Sequence, residues 1–211
     1  MSQSLKLKVC GNNNPANMVQ VAALQPDYMG FIFYALSKRN ACELDPQIVK
    51  SLPQSIKPVA VFVNETYDTI IRITKNYMIT ILQLHGAESP ELCQKLRKEG
   101  YTVIKQFPMD SSFDFQTIKP YKGRVDYILF DTKTETHGGS GQTFDRGILK
   151  KYKYHIPFFL AGGIGDENIA EVIASQHPYL YAIDINSKVE SEAWIKDIDK
   201  VKICVKYFKT Q

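Results

Sequence analysis

Short β-branched or apolar runs alternate with stretches of helical spacing along the whole chain. Eight such runs are visible, at 5–11, 27–34, 56–64, 79–86, 102–109, 125–131, 155–163 and 180–187. Within several of them apolar and polar residues alternate with the period of two that separates the faces of a strand. Leu5, Leu7 and Val9 oppose Lys6, Lys8 and Cys10; Leu82 and Leu84 oppose Gln83 and His85; Ile128 and Phe130 oppose Asp131; Ile183 and Ile185 oppose Asp184 and Asn186. The intervening stretches carry helix starts. Asn14-Pro15, Asp45-Pro46 and Ser89-Pro90 each set a capping side chain before a proline suited to the first helical position. Trp194, Ile198, Val201, Val205 and Phe208 predict a last helix from about Ser191, and the segment 110–123 has the faintest helical pattern.

Eight strand-then-helix units imply a parallel sheet, either an open doubly wound one or a closed barrel. The dinucleotide fingerprint G-x-G-x-x-G does not follow the first run, which weighs against the open form. Eight units in 211 residues match a minimal barrel. The expected fold is therefore α/β, a single (β/α)8 TIM-barrel domain spanning 1–211. In a barrel the outer strand face meets helices, and active sites lie at the carboxyl ends. Cys10, His85, Asp131 and Asp184 should then converge on one rim.

Composition narrows the partners. Hydrophobic residues make up 44% and charged residues 23%, and the net charge is +4, with Lys and Arg scattered. That balance suits an anionic small molecule, and without a basic tract or basic-aromatic stripe nucleic acid is not expected. None of Cys10, Cys42, Cys93 and Cys204 forms a Cys-x-x-Cys pair, and no His stands at metal-ligand spacing from them. Neither a disulfide framework nor a zinc site is expected, and reduced thiols point to the cytoplasm. No run approaches the ~18 apolar residues of a membrane span, and the first residues lack the apolar centre of a signal peptide.

A thiol, an imidazole and carboxylates in one mouth make an acid–base site. Each also has a plainer reading: Cys10 as a small buried hydrophobe, His85 as a loop brace, Asp131 as a cap, Asp184 as a barrel strut. Lys8, the inward neighbour of Cys10, is expected to favour its thiolate. Three loops offer sites for an anion. Gly138-Gly139-Ser140-Gly141 follows strand 6, Ala161-Gly162-Gly163 ends strand 7, and Asn186-Ser187 ends strand 8. Glycine permits close backbone approach, and barrels often bind phosphate after strands 7 and 8. Gly139, Gly141, Gly162, Gly163, Asn186 and Ser187 are the phosphate-site candidates.

Taken in order, the motifs resemble those of the phosphoribosylanthranilate isomerases. They are Lys8-Val9-Cys10-Gly11, Asp27 to Tyr34 with Ser37-Lys38-Arg39, Val61-Phe62-Val63-Asn64, Gln83-Leu84-His85-Gly86, Asp131-Thr132-Lys133, Gly138 to Gly141 with Thr143-Phe144-Asp145, Ala161-Gly162-Gly163, and Asp184-Ile185-Asn186-Ser187. They span nearly the whole chain. The resemblance implies an Amadori rearrangement of N-(5-phosphoribosyl)anthranilate to 1-(2-carboxyphenylamino)-1-deoxyribulose 5-phosphate in tryptophan biosynthesis, with no cofactor and no metal. It implies Cys10 as general base and Asp131 as general acid. Arg39 is implied to hold the anthranilate carboxylate, and the glycine loops with Ser187 the phosphate. His85 and Asp184 join Arg39 as substrate-binding candidates, and a monomer is the expected working unit.

The chain departs from the family pattern at Asn12 and Asn13, at Lys38 and Asn40 around the arginine, at Arg146 in place of a Trp, and at Lys188 in place of a Gly. Two rivals are another phosphosugar barrel, which would show a two-fold repeat with paired aspartates, and a barrel that binds phosphate without catalysis.

Overall fold

The computed structural model describes residues 4–133, 145–175, 177–192 and 194–209. Eight parallel strands close into a barrel in chain order: β1 (Lys6–Val9), β2 (Tyr28–Ile32), β3 (Lys57–Phe62), β4 (Ile81–Leu84), β5 (Thr102–Met109), β6 (Tyr127–Thr132), β7 (Phe158–Leu160) and β8 (Leu180–Ile185). The ring is completed by β1 against β8, with Lys8 level with Asp184. The open-sheet alternative is thereby excluded.

Between the strands run α1 (Pro15–Ala23), α2 (Pro46–Lys50), α3 (Tyr67–Tyr77), α4 (Pro90–Lys98), α5 (Ile169–Ala174) and α6 (Ile198–Lys209). The three Pro-marked starts are as expected. Asn14, Asp45 and Ser89 each accept a hydrogen bond from a backbone N–H in the first turn of α1, α2 and α4, satisfying donors that the helix itself leaves unpaired. The faint segment 110–123 forms only a 3₁₀ turn, Phe115–Tyr121, with Pro120 inside it. Proline's missing N–H and its ring deny that stretch a regular α-helical ladder.

The strand alternation divides the core in two. Leu7, Val9, Leu82, Leu84, Ile128, Phe130, Ile183 and Ile185 belong to the large apolar layer shared with the helices. Tyr28, Val59, Ile104, Leu129, Phe159 and Ala182 form a second cluster inside the barrel. Tyr28 and Tyr181 join their hydroxyls there at 2.7 Å. Burying that interior drives closure of the ring. Above the apolar plug the interior turns polar, with Lys8, Gln83 and Asp184 all buried.

The C-terminal segment differs from its sequence pattern. α6 begins at Ile198, not near Ser191. Before it, Ser187–Val189 makes a 3₁₀ turn, Glu190 pairs with Lys196 in an antiparallel bridge, and Trp194 takes a φ of +71°. A left-handed non-glycine residue cannot continue a helix. Trp194 is placed instead with its ring 4.7 Å from the Arg39 guanidinium.

Candidate active site

A cavity of about 430 Å³ opens at the carboxyl ends of the strands, with Cys10, His85, Asp131 and Asp184 all in its wall. Gly162, Gly163, Asn186 and Ser187 line it as well. The structure thus brings together eight of the expected site residues. Gly139 and Gly141 lie outside the described residues. Arg39 is close by but not in the wall. It is buried, and its guanidinium is held by Glu190 through two hydrogen bonds of 2.7 Å. Among the described residues, no group of three or more His, Cys, Asp or Glu stands where it could hold a metal ion.

Beneath the cavity a chain of side chains crosses the barrel. Lys8 Nζ donates to Asp184 Oδ2 at 2.6 Å and to Gln83 Oε1 at 2.8 Å. Lysine has only donors, so the Gln83 carbonyl must face it. That turns the Gln83 amide nitrogen toward His85 Nδ1, 2.8 Å away. His85 Nδ1 is therefore the acceptor, and in the neutral ring the proton sits on Nε2. Nε2 lies 3.6 Å from Asp131 Oδ2. A charge on β1 in this way fixes the tautomer of the imidazole at the end of β4.

Lys8 does pull toward a Cys10 thiolate, as expected, but burial outweighs it and the net shift is the other way. Burial pushes the Cys10 thiol above its ordinary value, and the pull of Lys8 only partly offsets this. Lys8 is committed to Asp184, and that carboxylate itself opposes a second anion at Cys10. In the resting site Cys10 is a thiol. Asp131 moves the same way: burial, followed by the nearby Asp184, raises its carboxyl to about 6. The Thr132 N–H donates to its Oδ1 at 2.8 Å. Among the described residues, Asp184 Oδ1 is buried with no hydrogen-bond partner. An orphaned buried acceptor costs about 1–3 kcal/mol, so it favours a ligand donor at that point.

Two glycines fit the close approach a bound group needs. Gly162 has φ +91° and Gly163 φ +62°, a region that side chains strain to enter. A Cβ on Gly162 would collide with the Thr132 side chain and come within 2.9 Å of its backbone N. Asn168 braces the loop by donating to Gly163 O at 2.8 Å and accepting from Gly165 N at 3.0 Å.

Four of the departures from the family pattern find places. Asn12 is buried and donates to Val9 O and Gly30 O, tying the turn after Cys10 to β2. Lys38 lies over the Trp194 ring. Arg146 donates to Gly162 O at 3.1 Å. Lys188 is exposed and is not among the residues with positive φ, so its position makes no demand for glycine.

Comparison with known proteins accords with this geometry. Residues 7–207 match the family described as N-(5'phosphoribosyl)anthranilate (PRA) isomerase. The chain belongs to the phosphoribosylanthranilate isomerase family. An N-(5'-phosphoribosyl)anthranilate isomerase of Parabacteroides distasonis is 47% identical over 198 residues, covering 93% of this chain and 90% of the relative. The solved phosphoribosyl anthranilate isomerase of Thermotoga maritima has a TM-score of 0.84 at 32% identity, covering 98% of this chain and all of its own. A phosphoribosyl anthranilate isomerase solved in complex with reduced 1-(O-carboxyphenylamino)-1-deoxyribulose 5-phosphate has a TM-score of 0.83 at 29% identity, covering 98% of this chain and 100% of that one.

Strand alternation missed several wall residues of this isomerase. Gln106 lies on the inward face of β5 and also lines the cavity; the same parity rule, applied to that strand, points to it. Asn64, Tyr34 and Ser37 come from loops, where no periodicity marks them. Glu190 and Lys196 are not in the wall but surround Arg39, and they lie just before and within the segment whose apolar spacing predicts a helix, which hid them.

Proposed function

We propose that Cys10 and Asp131 are the base and acid of the family's Amadori rearrangement in this chain. The chain is a phosphoribosylanthranilate isomerase, converting N-(5'-phosphoribosyl)anthranilate to 1-(2-carboxyphenylamino)-1-deoxyribulose 5-phosphate. The observation that carries the assignment is the pairing of a thiol and a raised carboxyl in one cavity wall. A protonated Asp131 gives its proton to the furanose ring oxygen. The ring C–O bond breaks as the nitrogen lone pair forms a C1 iminium. Cys10, once ionised, removes the proton from C2, and the electron pair of that C–H bond neutralises the iminium as an enamine. Asp184 Oδ1 accepts a sugar hydroxyl, and the His85 Nε2–H faces Asp131 across the cavity.

The phosphate is assigned to the Gly162-Gly163 turn with Asn186 and Ser187, and to Gly139 and Gly141. Arg39 takes the anthranilate carboxylate, for which a guanidinium fork is suited. These groups belong to one chain, so a monomer is a sufficient working unit, although a Thermotoga maritima relative is described as dimeric. A cytoplasmic location suits the four free thiols. The direct test is loss of substrate fluorescence on adding enzyme; an unchanged signal under conditions where a family member turns over refutes the activity.

The phosphate assignment has its own test. Gly163→Leu is expected to weaken binding of a reduced, phosphorylated product analogue by about 10–100-fold, the worth of a lost charge-assisted contact. Its stability cost is expected to be about 1–2 kcal/mol, that of a side chain in left-handed backbone. Calorimetric titration reading unchanged affinity in a folded variant removes Gly163 from the phosphate site.

A further inference from the structure

Arg39 is part of a buried cluster of three charges. Glu190 receives Nε and Nη2 of Arg39 on its two oxygens. Its Oε1 also receives Lys196 Nζ at 2.5 Å, and Lys196 Nζ donates to Asn186 Oδ1 at 2.7 Å. All of this is shielded from water, with Arg39 6% and Lys196 2% exposed. Lys196 is fixed at its backbone too: its N–H donates to Asn17 Oδ1 at 2.8 Å and its carbonyl accepts Asn17 Nδ2 at 2.9 Å. The cluster rests on Gly11, the residue after Cys10. A Cβ there would come within 2.7 Å of Arg39 Cδ and Asn186 Oδ1, and 3.3 Å of Lys196 Nζ.

Two features give the cluster a direction. Two cations and one carboxylate leave a net charge of +1 in a water-poor place, which an arriving anion would offset. And Glu190 uses only one edge of the guanidinium: among the described residues, Nη1 has no hydrogen bond, while Nε and Nη2 are both taken. Glu190 also closes the turn that begins at Ser187, and Ser187 and Asn186 stand in the cavity wall.

We propose that Glu190 and Lys196 are positioning residues for Arg39. They lock its guanidinium in one orientation, with the Nη1 edge kept for the carboxylate of the substrate's aromatic ring. Through the Ser187–Val189 turn they also join the carboxylate end of the site to its phosphate end. Neither residue touches the reacting atoms. This rests on the reading of Arg39 as the carboxylate's partner.

The test compares two substrates: N-(5'-phosphoribosyl)anthranilate and its carboxylate-free analogue, N-(5'-phosphoribosyl)aniline. Glu190→Gln keeps the shape of the side chain but removes the charge that grips Arg39. It is expected to raise KM for the carboxylated substrate about tenfold or more, as misplaced binding groups do, with kcat within about threefold. For the analogue, kcat/KM should change by less than about threefold. Lys196→Gln, which still donates to Asn186, is expected to show the same split and serves if Glu190→Gln does not fold. Equal losses on both substrates mean a merely structural role and overturn the proposal, as does no loss on either. Arg39→Ala separates the two layers of the argument. If it penalises both substrates equally, the carboxylate reading itself fails. If it penalises only the carboxylated one while the Glu190 and Lys196 variants do not, that reading stands and the positioning role falls.

Discussion

Replacing Cys10 by alanine is expected to lower kcat by roughly 10²–10⁴-fold, the usual worth of a positioned general base, while KM for N-(5'-phosphoribosyl)anthranilate changes by less than about threefold. The asymmetry follows from where the thiol stands. Cys10 is buried at the end of β1 and lines the cavity wall, while the substrate's ends are assigned to other groups, Arg39 and the loops after β7 and β8. Deleting Sγ leaves those groups in place. Cys10→Ser discriminates further: an alcohol fits the space but ionises far less readily, so it should restore little of the rate. The fit is close, since a Cβ on neighbouring Gly30 would lie 2.6 Å from Cys10 Sγ. Steady-state kinetics on the folded variants decide the matter. Near-normal turnover in Cys10→Ala removes it as the base, even with barrel and substrate unchanged.

Most of the barrel could be read from the chain because strand parity is a strong constraint. A strand between barrel interior and helices must alternate, and a polar residue on the inner face has few places to go except the open end. Parity alone therefore places Cys10, His85, Asp131 and Asp184 on one rim. The three Asx/Ser-Pro starts were equally legible, since each cap satisfies its own local donors. The 188–197 segment was not. Its spacing of Trp194, Ile198 and Val201 is helical, but the segment answers to contacts distant in sequence: Glu190 with Arg39, Lys196 with Asn17, Trp194 against Arg39. Tertiary demands override propensity there. That the Lys8 effect is outweighed at Cys10 was illegible for a related reason. Only the fold shows that Asp184, 176 residues away, takes its charge.

Asp131→Asn is expected to lose turnover on the same scale, roughly 10²–10⁴-fold, and at the same time to stabilise the fold at alkaline pH. The carboxyl is raised by burial from 3.8 to about 6. A group whose folded value exceeds its unfolded one favours folding while protonated. That contribution is complete below about pH 4 and is lost as pH rises through about 6. At pH 8 the ionised carboxylate therefore costs up to about 3 kcal/mol, reduced by its contact with cavity water. Asparagine carries no charge and can still accept the Thr132 N–H. Its melting temperature should exceed that of the parent at pH 8, by about 2–4 °C per kcal/mol in a chain of this size, and the advantage should vanish near pH 4. The kinetics carry a matching signature. Catalysis needs Asp131 protonated and Cys10 ionised, whereas the resting pair is the reverse. Between about pH 6 and the higher value of Cys10 the reactive arrangement is a constant small fraction, so kcat/KM is level there and declines below about 6. In Asp131→Asn the level region and its break near 6 disappear, and the residual rate climbs with pH until Cys10 ionises. A variant with normal turnover would remove Asp131 as the proton donor, and one that melts lower than the parent at pH 8 would remove burial as the cause of its raised carboxyl.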